Sequence, residues 1–357
     1  MNTHTMSKSS TSSSVNSLSS SASSQEDDFG RYTCGQTLTI KRHIPDPPCG
    51  RDYGWPPGLS VPDNISKLEW CLAHPPTPGS TDPNDTRDIT LAKSIRTGYD
   101  RGAQVFLTND GLVAKIYDPL YYRFYDRDWP SETIDVATEA DHDYTIETAA
   151  YIALQGTDVQ ASIMPQYYGS WTTDIHTELK GQHHLRDVRM ILVEHIVGIP
   201  MIDIDPFDLS LRARNNIMYR VIEAEMDLRI AGLEHSDYES RNIMLRCAYT
   251  EAEACHKSSF EDSNLRVCVI DYGISFVYDV AGLKPLDPGY HNPLFCWPGR
   301  NLWCHDGWLP PRVEAVEWMW DMWGCGGKDK KYIKVERNMD DLLHRPVFPQ
   351  ELPHLPK

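Results

Sequence analysis

Polar residues that could take part in chemistry are concentrated in two short motifs in the second half of the sequence. The first contains His235, Asp237 and, five residues after that carboxylate, Asn242; the second begins at Asp271 and reads Asp-Tyr-Gly. A carboxylate can take or orient the proton of an attacking hydroxyl. Carboxylate and amide oxygens are also ligands that Mg²⁺ prefers. Either motif alone occurs by chance in many proteins, whereas the pair in this order indicates one shared site.

The elements predicted around these motifs would bring them together. A helix is predicted over residues 209–231, with Asp208 as its N-cap and a glycine as its stop signal. This helix would deliver the first motif. The residues that follow Asn242 begin one strand of a hairpin, and the second strand ends just before Asp271. The hairpin would therefore place both side chains at the same metal ion.

An antiparallel sheet is predicted upstream of the long helix. Its five strands are expected over residues 89–95, 104–107, 111–117, 167–175 and 188–193. In the third of these strands, the alternation of side chains puts Val113 and Lys115 on one face. A lysine that faces inward between apolar residues needs an anionic partner. The alternative is a surface lysine on an edge strand.

The combined pattern resembles the catalytic loop and the metal-binding loop of protein kinases. The chain is similar to the protein-kinase-like superfamily over roughly residues 88–325. It looks closest to compact kinase-like proteins of filamentous fungi, which also resemble aminoglycoside phosphotransferases. The resemblance implies an α+β fold with two lobes, namely a small antiparallel β lobe with one helix and a larger, mainly helical lobe. It also implies ATP and Mg²⁺ as cofactors.

The resemblance gives each residue of the two motifs a role. Asp237 would meet the substrate hydroxyl, while Asn242 and Asp271 would hold Mg²⁺ against the nucleotide phosphates. Glu239 stands where Ser/Thr kinases carry a lysine for the γ-phosphate. Arg241 could supply that charge, as an arginine at this offset does in the loops of tyrosine kinases.

The lysine strand and the helix after it would bind the nucleotide in the same scheme. Val113 would cover the adenine, and Lys115 would reach the α- and β-phosphates. A helix predicted from about residue 144 carries Glu147 on its apolar face, where it would pair with the lysine. Glu139 is the rival candidate for that pairing.

Two further nucleotide contacts are expected from the resemblance. Gly98 and Gly102 are spaced Gly-x-x-x-Gly, unlike the Gly-x-Gly-x-x-Gly loop of the family. They either cover the phosphates or form an ordinary β-turn. Glu194 and Ile196 flank the expected hinge, where main-chain groups would pair with adenine.

Composition divides the chain into five segments. The first is rich in serine and is predicted to be disordered, because it contains almost nothing that could be buried. Recurrent prolines in the second favour an extended linker draped over a neighbouring surface and argue against helices. The acidic stretch over residues 126–147 is mostly expected to be a solvated insertion. The segments are the tail 1–28, the linker 29–87, the small lobe 88–198, an abbreviated large lobe 199–326 and the tail 327–357.

Charge and cysteine content restrict the partners. The formal net charge of −17 argues against nucleic acid, because phosphate backbones are bound by basic patches. The nine cysteines contain no C-x-x-C pair, and the N-terminus has no apolar run like that of a signal peptide. No segment is apolar enough to span a membrane. We therefore expect an intracellular, cytoplasmic protein with no membrane partner.

Two classes of function fit the sequence, beside the possibility that the motifs are coincidental. The first is an ATP- and Mg²⁺-dependent phosphotransferase that modifies a hydroxyl of a protein or a small molecule. The second is a pseudokinase, a kinase-like binding module without catalysis. The intact set of Asp237, Asn242 and Asp271 favours catalysis, whereas the irregular glycine loop and the acidic insertion favour the pseudokinase.

Overall fold

The computed structural model describes most of the chain between residues 32 and 336. The Ser-rich tail predicted over residues 1–28 lies outside the described part, as do residues 337–357 of the C-terminal tail. The described ranges are 32–48, 53, 59–129, 131–246, 260–283, 292–297 and 300–336.

Six antiparallel strands form a closed sheet in the first part of the chain. They pair in the order β1–β2–β3–β4–β6–β5, and β1 closes the sheet by pairing with β5. Side-chain alternation along β4 puts Ala114 and Ile116 inside this sheet, while Val113 packs on the opposite face. The strands are β1 (Thr37–Ile44), β2 (Ser80–Arg96), β3 (Gln104–Thr108), β4 (Leu112–Tyr117), β5 (Tyr167–Leu179) and β6 (Gln182–Glu194).

The segment predicted as a linker contributes a whole strand to this sheet, so the five-stranded expectation is wrong. Leu38 and Ile40 of β1 are buried in the sheet interior, and this burial offsets the entropy of ordering the strand. The strand β2 begins well before the lobe boundary expected at residue 88. Pro83 is tolerated there because Lys41 pairs with Thr86 and the next residue pairs with Asp82, which leaves the proline in a bulge.

Six helices are described. The longest, α3, is capped by Ser210, whose side chain accepts a hydrogen bond from the Ala213 N–H at 3.1 Å. The prediction of Asp208 as the cap is therefore wrong by two residues. No helix in the described part of the chain combines the length and apolar character needed to cross a bilayer. The helices are α1 (Lys67–Ala73), α2 (Val136–Ala153), α3 (Leu211–Ile230), α4 (Pro293–Cys296), α5 (Arg300–His305) and α6 (Arg312–Trp323).

Residues 136–147 of the acidic stretch, which was mostly expected to be a solvated insertion, instead form the first two thirds of α2. Asp135 caps the helix, because its carboxylate accepts from the Thr138 N–H and from the indole N–H of Trp70 at 2.8 Å. Val136 and Ala140 are buried against α1 and its surroundings. The apolar residues between the acidic ones therefore decide where the helix begins.

The helical part of the molecule packs around α3. Ile217, Val221 and Leu228 of this helix are fully buried, together with the indole rings of Trp303 and Trp323. Two short sheets attach the loops that follow α3. Their strands are β7 (Ile199–Pro200), β9 (Ile243–Arg246) and β10 (Arg266–Val269) in one sheet, and β8 (Leu233–Glu234) with β11 (Phe276–Val277) in the other.

Candidate active site

Lys115 joins the closed sheet to the helical part of the molecule. Its ammonium group pairs with the Glu147 carboxylate of α2 and with the Asp271 carboxylate, which follows β10. The hydroxyl of Tyr117 donates a second hydrogen bond to Glu147 at 2.6 Å. Lys115 is 9% exposed and Glu147 only 2%. Both charges are therefore held out of water and depend on each other.

The charges of this cluster stabilise one another. Burial alone would lower the pKa of Lys115, but the carboxylates of Asp271 and Glu147 raise it above its usual value. Lys115 in turn lowers the pKa of Asp271 to about 2 against the opposing effect of burial. The lysine thus stays protonated, and Asp271 stays ionised, throughout the physiological pH range.

The rival glutamate lies elsewhere on the same helix. Glu139 belongs to the first turn of α2, two turns before Glu147. Burial and the neighbouring Asp135 raise the pKa of its carboxyl group. The structure therefore brings Glu147, and not Glu139, to the lysine.

Local hydrogen bonds hold the loop that carries Asp237. The Asn242 amide nitrogen donates to the Asp237 main-chain oxygen at 2.9 Å and to its carboxylate at 2.8 Å. Arg241 donates to the other carboxylate oxygen of Asp237 at 2.5 Å and also pairs with Glu239. Since its nitrogen is used in this way, the side-chain oxygen is the atom of Asn242 with which a cation would be bound. The Ile270 N–H donates to the Asn242 carbonyl at 2.9 Å, which places this residue beside the metal motif.

His235 positions the two motifs and does not face the cleft. Its ring is buried, and its Nε2–H donates to the Ile270 carbonyl at 3.0 Å. The ring also packs edge-on against Tyr238 and Tyr272. Burial lowers the pKa of this imidazole, which keeps it neutral. The residue after it, Ser236, has a φ of 61°, a left-handed conformation that turns the chain toward Asp237.

The glycine loop is closed on itself by Gln104. The Gly98 N–H donates to the Gln104 side-chain oxygen at 2.8 Å, and the Gln104 amide donates to the carbonyls of Gly98 and Gly102. The Gly102 N–H donates to the Tyr121 carbonyl. Both glycines have a positive φ, 131° for Gly98 and 69° for Gly102, a backbone conformation that favours glycine at these two positions of the turn. Both glycine N–H groups are used within the turn in this arrangement, which favours the β-turn over the phosphate cover, the two alternatives that the sequence left open.

Comparisons with known proteins find similarity only to solved structures. No protein-family model matches the sequence, and no curated protein does. One similar solved structure is described as WaaP in complex with acyl carrier protein. It has 14% identity and a TM-score of 0.32, and the match covers 53% of this chain and 64% of that chain. Another is the kinase domain of Mycobacterium tuberculosis PknI, with 13% identity and a TM-score of 0.30. That match covers 52% of this chain and 60% of the kinase domain's chain.

These overlaps span less than two thirds of either known structure and are too small to carry an assignment. The geometry of the chain itself is more informative. A strand lysine contacts a helix glutamate and the aspartate of the metal motif, and the catalytic-loop motif is hydrogen-bonded to the same hairpin. This is the arrangement expected from the kinase-like motifs of the sequence.

The kinase-like cleft contains three charged side chains that the sequence pattern did not reveal. Arg96, Arg101 and Asp143 line a cavity of about 160 Å³ together with Lys115, Asp237 and Asp271. A guanidinium nitrogen of Arg96 lies 3.8 Å from the Asp271 carboxylate. Arg96 is the last residue of β2, just before the glycine loop, and this position is the sequence feature that could have indicated its place in the cleft.

Asp143 lies one turn before Glu147 on α2 and accepts a hydrogen bond from the Tyr122 hydroxyl at 3.0 Å. Burial raises the pKa of the Asp143 carboxyl group to about 7, although Lys115 opposes the shift. Its position follows from the early start of α2, which the sequence pattern did not predict. The cleft therefore holds one carboxyl group that titrates near neutral pH.

The residues expected at the adenine lie along the edge where the sheet meets the helical part. The Glu194 N–H donates to the Gln166 carbonyl at 2.8 Å, and its carboxylate accepts from Arg246 at 3.2 Å. Ile196 is buried, and Val113 is half-buried against the large core cluster. Their contacts with a nucleotide remain predictions.

The oxygen donors of this kinase-like cleft suit a magnesium ion that is bound with its nucleotide. Among the described residues, no group of three or more His, Cys, Asp or Glu side chains is arranged to hold a metal. Asp271 and the Asn242 side-chain oxygen would supply two ligands. Mg²⁺ commonly binds to one or two protein groups and completes its shell with phosphate oxygens and water. The pair thus fits Mg²⁺ in the company of phosphates.

Proposed function

We propose that this protein is an ATP- and Mg²⁺-dependent phosphotransferase that transfers the γ-phosphate to a hydroxyl group. The closed sheet would be the small lobe of a two-lobed kinase-like fold, and the part around α3 the large lobe. One observation carries the proposal. Lys115 pairs with Glu147 and Asp271 at once, beside a catalytic loop in which Asn242 holds Asp237.

Each of these side chains has a defined task in the proposed reaction. Mg²⁺ would neutralise charge on the phosphate groups during transfer. Asp237 is oriented by Arg241 and Asn242, so its carboxylate is placed to accept the proton of the acceptor hydroxyl. Lys115 now contacts the Asp271 carboxylate, and it would move to the phosphates when the nucleotide arrives. That movement would leave Asp271 available to the cation.

The class of the acceptor follows less directly from the molecule. A hydroxyl of a protein and a hydroxyl of a small molecule both fit the cleft chemistry. The net charge of −17 favours acceptors that are cationic or carry basic segments, because an acidic surface attracts them.

Paired substitutions of the two aspartates test the proposal. Asp271→Asn should lose Mg²⁺-dependent nucleotide affinity and turnover, because it removes a direct ligand of the ion. Asp237→Asn should keep nucleotide affinity and lose turnover by about 10²–10⁴-fold, the usual contribution of a positioned base. Titration calorimetry with Mg·ATP measures the affinity, and ATP hydrolysis measures turnover without a known acceptor. Asp306→Asn, an exposed change beside α5, is the matched control.

A pseudokinase is the second candidate, and the ion pairing of the catalytic loop favours it. Arg241 pairs with Asp237, which would occupy that carboxylate and keep it from the acceptor hydroxyl if the pair persisted in the bound state. Wild-type protein that binds Mg·ATP without turnover, and that Asp237→Asn leaves unchanged, would establish this alternative. Wild-type protein that binds no nucleotide would eliminate both functions.

A further inference from the structure

The phosphates of a nucleotide need several donors, and the glycine loop supplies fewer than its sequence suggests. The N–H groups of Gly98 and Gly102 already donate to Gln104 and to the Tyr121 carbonyl. Gln104 is 1% exposed, so this arrangement is part of the folded core and not a loose surface contact. A different set of donors must therefore approach the phosphates.

Two arginines lie where those donors are needed. Arg96 stands at the end of β2, immediately before the loop, and Arg101 stands within the loop. Both line the cleft that contains Lys115, Asp237 and Asp271. The loop itself is therefore built to present guanidinium groups at the cleft.

Arg96 is held across the mouth of the loop. One guanidinium nitrogen donates to the Arg101 carbonyl at 3.1 Å, and another lies 3.8 Å from the Asp271 carboxylate. The second contact is at the outer limit of an ion pair, so Asp271 restrains this side chain only weakly. Arg101 has no ion-pair partner within the described ranges. Both side chains are therefore able to bind an anion without breaking a strong contact.

The charge of the cleft also favours an anionic ligand that brings a cation with it. Lys115, Arg96 and Arg101 line it together with the carboxyl groups of Asp143, Asp237 and Asp271. Mg²⁺ bound near Asp271 would leave the arginines as the groups that face the remaining phosphate charge. Guanidinium groups bind phosphate through two parallel hydrogen bonds, which a single N–H group cannot do.

We propose that Arg96 and Arg101 bind the β- and γ-phosphates of the nucleotide in place of the glycine N–H groups. This inference rests on the proposed nucleotide-dependent function. In this scheme the two arginine side chains recognise the phosphates of the ligand. Adenosine has no phosphates, so its binding should not depend on either arginine.

Calorimetric titration of the full chain with Mg·ATP, with ATP in EDTA and with adenosine tests the inference. Arg96→Gln and Arg101→Gln should each weaken Mg·ATP binding roughly ten- to a hundredfold, as expected for a charged hydrogen-bonded contact. The same factor should appear for ATP in EDTA, and adenosine affinity should not change. Arg96→Lys should recover part of the loss, because it keeps the charge but not the bidentate geometry.

Arg87→Gln provides the matched control. It lies on the same strand as Arg96, but its side chain pairs with Asp110 on a hairpin outside the cleft. This variant should bind all three ligands like the wild type. Because Arg96 and Arg101 are exposed and Arg87 is only half-buried, all variants are expected to fold, and their thermal unfolding midpoints verify it.

Several outcomes would overturn the inference. Wild-type affinity for Mg·ATP in both arginine variants would show that other groups bind the phosphates. An equal loss for adenosine would make the arginines structural, and a loss seen only with Mg²⁺ would mean that Arg96 acts through Asp271. These results leave the proposed phosphotransferase intact. Wild-type protein that binds no nucleotide overturns the proposed function and this inference together.

Discussion

The charged side chains of this cleft are stabilised mainly by pairing with side chains of opposite charge. Glu147 is nearly inaccessible to water, and its cationic partner is Lys115. Replacing Lys115 with Met should therefore lower the free energy of unfolding by about 3–5 kcal/mol, since it leaves a buried carboxylate unpaired. It should also weaken Mg·ATP binding. Urea unfolding and titration calorimetry measure the two effects.

Lys41→Met is the control for that experiment. Lys41 pairs with Asp174 at 2.6 Å, but both side chains are about one third exposed. Its loss should cost less than about 1 kcal/mol, as for other partly solvated pairs. Equal costs for the two lysines would mean that Lys115 is not the buried partner described above.

Asp143 should make the stability of the protein depend on pH near neutrality. Its pKa is raised from 3.8 to about 7 in the folded state. The stability from this group is fully present below about pH 3.8 and is lost as the pH rises through 7, because the folded state disfavours the charged form. Asp143→Asn removes that loss.

The measurement compares free energies of unfolding at about pH 5.5 and about pH 8. The decrease between these pH values should be smaller in Asp143→Asn than in the wild type. Glu314→Gln, an exposed change on α6, should reproduce the wild-type decrease. If Asp143→Asn and the wild type show the same decrease in the free energy of unfolding between these pH values, Asp143 is ionised in the folded protein at both of them.

Among the secondary-structure elements, β1 decides whether the sheet closes. Ile40 has no exposed surface and packs in the sheet interior, whereas Ile44 on the same strand is 57% exposed. Ile40→Ala should cost about 2–5 kcal/mol, the range for large buried side chains cut to alanine. Ile44→Ala should stay within about 0.5 kcal/mol. Chemical denaturation of both variants is the test, and similar small costs would mean that β1 is a peripheral strand.

The start of α2 matters for function as well as for packing. Its first half carries Asp143 to the cleft, and its second half carries Glu147 to Lys115. The anchoring of its N-terminus by Asp135 and Trp70 therefore positions both carboxylates from outside the site.

For the whole molecule, the net charge of −17 should oppose compactness at low salt. Raising NaCl from about 0.02 M to about 0.3 M should increase the urea midpoint of the wild type, because the salt screens repulsion between exposed carboxylates. The buried pair of Arg186 with Asp118 should contribute at both concentrations, since neither side chain is more than 4% exposed.

A chloride salt is required for this comparison, because sulfate stabilises proteins by exclusion from their surface whatever their charge. A midpoint that falls with NaCl would show that exposed ion pairs outweigh the repulsion. In that case the acidic surface would be arranged as matched pairs and not as an excess of one sign.

Features with a local cause were predictable from the sequence. The β9–β10 hairpin, the placement of Val113 and Lys115 on one face of β4 and the helix that leads to His235 follow from spacing and alternation over a few residues. The pairing of Lys115 with Glu147 was expected from the resemblance to kinases, because Glu147 lies on the apolar face of the helix that follows the lysine strand, with Glu139 as the rival.

Features that depend on distant partners were decided only by the tertiary structure. The strand β1 is ordered because Leu38 and Ile40 find an interior made by strands far along the chain. Arg96 and Asp143 reach the cleft because the sheet and α2 are packed against the loop of Asp271. Alternation and helical spacing report which face of an element is apolar, but they do not report which other element will cover it.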